Sequence, residues 1–316
     1  MTAAAPANYQ ARFERRWGHL RQPHVRALAW LLDAPDLLDP DDPHWEGRIA
    51  SLGELAPAVD AWLGRVDTDS AALNAELGAR VYTRLGLYAE KLMAFYYREH
   101  GLLVAHGLQV RAARNDTVGE FDFLLDAGPD GVEHIEFATK FYLLEGEAAS
   151  RFDTFVGPNL ADSLGAKMRK IFDKQLALGS HPAAQELLAR PVVRARALVK
   201  GWLFYPAGGP SGMAGISDQH CRGFWCAVSE LEALDAQLLV VLPRLQWLAP
   251  YRGNDEALDR RALQAKLALQ FESLPMPVLV AVVKQVDGAL VETARGFIVP
   301  DSWRAKAAFR QNMLKL

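Results

Sequence analysis

The sequence predicts an α/β protein: a mixed central sheet flanked by helices, with an N-terminal helical region and extra C-terminal strands. Three observations carry that expectation. Apolar residues recur at helical spacing through residues 9–100, the period changes to two after Gly101, and Asp287-Gly288 separates two apolar runs as a two-residue hairpin turn.

Each element follows from a local signal. Residues 26–32 are apolar at helical spacing until Pro35, Pro40 and Pro43 interrupt them. A shorter helix is predicted over 55–66. Ser70 predicts the cap of a long helix ending near His100, with Gly101 as its stop and Leu73, Leu77, Val81, Leu85, Tyr88, Leu92, Phe95 and Tyr96 as its apolar positions. Glu90 lies off that stripe, where an ordinary surface residue is the plain reading. Strands are expected over 102–110, 119–125, 134–141, 195–205 and 224–228, with a loop over 208–212. Helices are expected over 157–178, 231–242 and 255–271, the last two flanking 247–251. Residues 277–283 and 289–299 pair through Asp287-Gly288. Repeats and low-complexity linkers are absent, so the division rests on period alone: a helical region over 1–69, a core over 70–206 and an α/β extension over 207–316 packed on that core.

Composition narrows the classes. The chain has 316 residues, half of them hydrophobic, and a net charge of −3. It can bury a sizeable core and carries no bulk electrostatic footprint for nucleic acid, so such binding needs a local basic patch. Cys221 and Cys226 are the only cysteines, which excludes a disulfide framework and leaves buried thiols as the default. With no apolar leader and no run of about 18 apolar residues, the expectation is a soluble cytoplasmic protein without a membrane partner.

The chemistry concentrates in one hairpin. Gly119-Glu120-Phe121-Asp122-Phe123-Leu124-Leu125 and His134-Ile135-Glu136-Phe137-Ala138-Thr139-Lys140-Phe141 flank a turn rich in Gly and Asp. Strand alternation predicts Phe121, Phe123 and Leu125 on one face, with Glu120 and Asp122 on the other, and Ile135, Phe137 and Phe141 opposite Glu136 and Lys140. If the loop is symmetric about Pro129, Asp122 faces Glu136 and Glu120 faces Ala138, with Cβ atoms about 5 Å apart. Carboxylates that close repel unless a proton or a cation lies between them. Mg²⁺ suits such a pair, since it binds through one or two carboxylates and keeps several waters. A solvated polar face would alternate in the same way; the apolar run at 195–205 favours a cleft.

On the following helix Lys167, Lys170 and Lys174 fall at i, i+3 and i+7, on one face with Gln175 beside them. A solvated face explains such a stripe, and so does a phosphate track. There is no Gly-x-x-x-x-Gly-Lys loop, no Gly-x-Gly-x-x-Gly after a strand and no Gly-x-Ser-x-Gly elbow, and the histidines lack ligand spacing. Nucleotide hydrolysis, dehydrogenation and serine hydrolysis lose ground.

A helix with a glutamate, a strand, an acid-bearing strand, a turn, a strand with Glu and Lys, then a helix: this order resembles the core of the PD-(D/E)XK nuclease-like superfamily. The whole chain also resembles an uncharacterised bacterial family, domain of unknown function 1853. The resemblance is carried by Leu87-Tyr88-Ala89-Glu90-Lys91-Leu92, by the strand around Asp122 and by Glu136-Phe137-Ala138-Thr139-Lys140-Phe141-Tyr142-Leu143, over roughly residues 70–205 for the superfamily core. It implies a restriction-endonuclease-like core and phosphodiester hydrolysis of DNA or RNA with Mg²⁺, or alternatively Mn²⁺.

In that superfamily an Asp on the second core strand, and a Glu two residues before a Lys on the third, hold the metal. Asp122 and Lys140 match. The position two before the lysine is Ala138, and Glu136 lies four residues away, roughly 13 Å along a strand. Glu120, expected across from Ala138, offers a relocated carboxylate and favours an intact site; a lost activity is also consistent with the departure. The resemblance thus implies Asp122, Glu136 and Glu120 as metal ligands, and Lys140 as the charge-stabilising cation. Glu90 would hold a metal-bound water, and Lys167, Lys170 and Lys174 would contact the nucleic-acid backbone. The rival class is an inactive nuclease-fold module that binds nucleic acid or protein, with Trp202, Trp225, Trp247 and Tyr251 as interface anchors in place of core. A small-molecule binder is the third option.

Overall fold

The N-terminal third is helical, and its first three α-helices start where a side chain or a proline deals with the first unpaired amides. The computed structural model describes residues 8–79, 81–113, 116–146, 152–207, 209 and 212–313. Helix α1 (Tyr9–Trp17) is capped by Asn8, whose Oδ1 accepts from the Ala11 amide at 3.0 Å. Helices α2 (Pro23–Asp33) and α3 (Pro57–Thr68) carry proline in the first turn, where its missing N–H costs nothing. The long helix expected from Ser70 divides in two. Helix α4 (Ala71–Leu77) ends at Gly78, whose φ of +68° stops propagation, and α5 (Leu85–Glu99) begins afresh. Val81 therefore leaves the apolar stripe and is 82% exposed. The Ser70 side chain makes no cap bond.

The strands are β1 (Leu103–Ala113), β2 (Asp116–Asp126), β3 (Val132–Leu144), β4 (Phe155–Val156), β5 (Val192–Tyr205), β6 (Cys221–Ala227), β7 (Leu238–Val241), β8 (Arg252–Gly253), β9 (Val278–Val286) and β10 (Ala289–Val299). All ten join one mixed sheet in the order β1-β2-β3-β5-β6-β10-β9-β7, with β4 beside β3 and β8 beside β10. The β1/β2 and β2/β3 pairs are antiparallel, β3/β5, β5/β6 and β6/β10 are parallel, and β10/β9 and β9/β7 are antiparallel. The chain after residue 207 thus extends the same sheet. Asp287-Gly288 turns β9 into β10 with both residues at positive φ, as its dipeptide predicts.

Two further expectations are corrected. The helix predicted over 157–178 begins only after Ser163, whose hydroxyl accepts from the Ala166 amide at 3.1 Å. It runs as α6 (Leu164–Lys170) and continues as a π turn over Ile171–Gln175. The helix predicted over 231–242 is a 3₁₀ turn, Val228–Ala233, followed by β7, because pairing with β9 buries Leu239 and Val240. Of the loop predicted over 208–212, residues 208, 210 and 211 lie outside the described residues. Helices α7 (Pro182–Leu187), α8 (Arg260–Ser273) and α9 (Trp303–Met313) complete the set, α8 starting at the cap Asp259.

Cores form on both faces of the sheet. On one, α1, α2, α3 and α5 pack on Phe123, Ile135, Phe137 and Phe141. On the other, Leu164, Met168, Ile171 and Phe172 pack on Ala138, Tyr142 and Leu203. Trp202 is fully buried, stacked on Trp30 at 6.3 Å, and Trp225 and Tyr251 are buried as well. Core, not interface, is their role, and the Trp202 indole N–H finds the Leu248 carbonyl at 3.0 Å. Trp247 is half-buried. Among the described residues no helix is long and apolar enough to cross a membrane.

Candidate functional site

The β2–β3 register is symmetric about Pro129, pairing Asp126 with Val132, Leu125 with Glu133, Leu124 with His134 and Phe123 with Ile135. There the ladder stops. Asp122 and Glu136 come next in that register, but Oδ2 of Asp122 accepts the Phe137 amide at 2.9 Å. A side-chain carboxylate thus takes the place of a strand carbonyl, and the two strands part.

The reason lies in a break of alternation. Phe123 packs under α5 against Tyr97 at 5.2 Å and Phe137 at 5.9 Å, whereas Phe121 lies in the opposite core with Val110, Leu124, Val132 and Leu178. Phe121 and Phe123 therefore do not share a face, contrary to the period-two reading. The break falls at Asp122 and, directly across on β1, at Gly107, whose φ is +63°. An L side chain is disfavoured there, so glycine lets both strands turn over together. Asp122 is left in the fork between β2 and β3, under the charge of Glu90 from α5 and beside Glu136.

Glu136 is 1% exposed on the face of β3 that looks toward α6. The Gln175 side-chain amide, carried by the π turn, donates to its Oε1. Its Oε2 is buried and receives no hydrogen bond. The Asp122 carboxyl stands close enough to Glu136 to share a proton with it, and acceptors of that kind can bond in no other way. Burial, then mutual repulsion, pushes Glu136 up to about 9; burial raises Asp122 to about 6, the Phe137 amide opposing. The two titrate as a pair holding one proton near neutrality. A largely enclosed carboxyl pair with an unsatisfied oxygen suits a hard divalent cation, which would replace that proton.

Lys140 shares the face of Glu136 by strand alternation, is half-buried and forms no hydrogen bond or ion pair among the described residues. Burial, then the charge of Lys167, lowers its ammonium to about 8. Ala138 between them is buried against the α6 side. Glu90 is half-buried and its Oε1 meets His106 Nε2 at 2.7 Å, which removes the surface reading. Lys167 acts electrostatically on Asp122, Glu136 and Lys140, and its Nζ donates to Gln175 at 3.4 Å. Lys170 and Lys174 are exposed, and the π turn separates Lys174 from the regular helix that carries the other two.

Glu120 departs from expectation. It pairs in register with Gln109 on β1, is exposed, and accepts from the Gln109 side chain at 3.4 Å. Since β2 has already left β3, Glu120 does not face Ala138 and supplies no carboxylate to the pair. Among the described residues no group of three His, Cys, Asp or Glu side chains is placed to hold a metal ion. Three nearby groups escaped the sequence reading. His106 partners Glu90. His134 is fully buried with neither ring nitrogen bonded and Nε2 3.8 Å from Glu136, and Asp162 accepts from the Tyr142 hydroxyl at 2.8 Å. His106 alternates onto the α5 face and His134 onto the Glu136 face; that parity was the available signal.

A family model described as Domain of unknown function (DUF1853) matches residues 26–299. The chain belongs to the DUF1853 family. The match takes in most of α2, then α3 to α5, the forked hairpin, α6 and every strand through β10. No curated protein and no solved structure matches the chain. Within DUF1853 the functional reading of this chain therefore rests on its own site.

Proposed function

We propose that this DUF1853 protein is a metal-dependent nuclease, hydrolysing phosphodiester bonds of DNA or RNA on a PD-(D/E)XK-like core. The observation that supports this best is the pair of half-buried Asp122 and buried Glu136 at the fork of β2 and β3, with Lys140 on the same face of β3. Asp122 and Glu136 fit a single Mg²⁺ or Mn²⁺: both are oxygen donors, they repel unless a proton or a cation lies between them, and Glu136 keeps an unbonded oxygen. A bound Mg²⁺ would lower the pKa of a water and neutralise charge on the phosphorane oxygens.

The chain's own residues would do the rest. Asp122 is oriented by the Phe137 amide and Glu136 by the Gln175 amide. Lys140, lowered to about 8, is mostly protonated at neutral pH and can donate from Nζ to an attacking water or a phosphoryl oxygen. Glu90, held by His106, is a positioning residue whose charge bears on Asp122. Lys167, Lys170 and Lys174 would contact backbone phosphates without reading bases, with an affinity that falls as salt rises. Incubation with plasmid and single-stranded DNA in Mg²⁺, Mn²⁺ or EDTA tests the reading. Cleavage should need the cation and vanish in Asp122→Asn and Lys140→Ala.

The second reading is a nuclease-fold module that binds nucleic acid or protein without cutting. Ala138 in place of an acid, together with Glu120 turned toward β1, favours it. Salt-sensitive nucleic-acid binding without cleavage under any cation would establish it over the first.

A further inference from the structure

The edge of β3 that faces β2 has no strand partner between the Phe123–Ile135 pair and the Leu143–Val156 pair with β4, among the described residues. A cleft of about 270 Å³ opens along this edge, several times the roughly 30 Å³ share of one water. Its walls include Arg84, Thr139, Lys140, Asp162, Arg244 and Trp247. Three cations thus border one cleft, and none of them has a carboxylate in ion-pair contact among the described residues. The one acid, Asp162, accepts from Tyr142 at 2.8 Å. Arg244 lies over the Trp247 ring at 5.1 Å, which holds the guanidinium in place and leaves its N–H groups free to donate.

Two further features point to an anion. Thr139 has a buried hydroxyl oxygen with no hydrogen-bond partner. The N-terminus of α5 opens on the same cleft through Leu85 and Gly86, and no side chain caps its first turn. Unpaired like charges raise the energy of a site until an anion enters, and helix amides add a positive end. Arginine forks match phosphate oxygens in pairs. Three positive groups against one carboxylate balance a phosphate monoester, which carries close to two charges at neutral pH. Lys140 links this cleft to the carboxyl pair.

We infer that the cleft receives the terminal phosphate of a nucleic-acid strand, so that the enzyme engages strand ends. This rests on the phosphodiester-hydrolysis reading. The test is fluorescence anisotropy in EDTA, which removes hydrolysis from the measurement. Short labelled single strands carrying a 5′-phosphate, a 3′-phosphate or only hydroxyl ends are titrated against the wild type, Arg84→Ala and Arg244→Ala. Both arginines are exposed, and melting curves check that the variants fold. One phosphorylated strand should bind about tenfold more tightly than the hydroxyl strand, as one or two charge-assisted bonds imply. Inorganic phosphate should compete, and both variants should lose the preference. Which phosphorylated strand is preferred assigns the end. Equal affinity for all three strands, or a preference that survives both substitutions, overturns the assignment. End preference without cleavage in Mg²⁺ or Mn²⁺ would keep the cleft assignment and reject the hydrolase, and cation-dependent cleavage with no end preference would do the reverse.

Discussion

The Phe137 amide donates to Oδ2 of Asp122 at 2.9 Å, where a ladder bond between β2 and β3 would otherwise form. One carboxylate therefore does two jobs: it ends the sheet pairing and it presents charge to Glu136. Asp122→Asn keeps an acceptor for the amide, whereas Asp122→Ala leaves a partly buried N–H unpaired. Urea unfolding at pH 8 should show the alanine variant about 1–3 kcal/mol less stable than the asparagine variant. Equal stabilities would mean that the bond contributes nothing.

The pH dependence of the pair has a definite sign. Both folded-state values are raised, so the pair favours the folded state fully only below the ordinary Asp value of 3.8, and that contribution is lost as pH rises toward about 9. Glu136→Gln removes the charge and keeps an acceptor for Gln175. Its stability relative to wild type should climb between pH 5 and pH 9, reaching on the order of 1–3 kcal/mol in favour of the variant. Parallel melting curves across that range would contradict the assigned repulsion.

Gly107 makes the fork possible. Its φ of +63° is unfavourable for any L side chain, so Gly107→Ala should cost about 1–2 kcal/mol although the added Cβ would meet only the Glu120 side chain, at an ordinary contact distance of 3.5 Å. Because the turnover of β1 and β2 is coupled, the same substitution should also weaken cation binding at Asp122. A thermal-shift series with and without Mn²⁺ reads both effects.

Trp202 separates core from interface. Stacked on Trp30 and fully buried, it should cost about 3–5 kcal/mol on Trp202→Ala, seen as a large loss in denaturant midpoint. A variant as stable as wild type would return the residue to the surface.

Much of this fold could be read from the sequence because period and turn chemistry are local. The register about Pro129 and the Asp287-Gly288 hairpin followed from their turns, and the nearness of Asp122 to Glu136 followed from the first of them, although the ladder stops one pair short of them. What escaped depended on partners distant in sequence. The helix at 231–242 became a strand because β9 offers an edge, a choice that no local propensity reveals. Glu120 went astray because the alternation rule assumes an unbroken strand, and the break is set by Gly107, which sits on the neighbouring strand. Glu90 looked like a surface residue until His106 arrived beside it from β1. The cationic cleft needed Arg84, Lys140 and Arg244 from three separate elements.

The most direct test of the central claim, that Asp122 and Glu136 together form a cation site, is calorimetric titration of the protein with Mn²⁺ and Mg²⁺ at pH 7 in buffers of different ionisation heat. One cation should bind per chain and expel about one proton, the proton shared by the pair, and Asp122→Asn or Glu136→Gln should abolish the binding. Binding without proton release, binding that survives both substitutions, or no binding by the wild type would contradict the account.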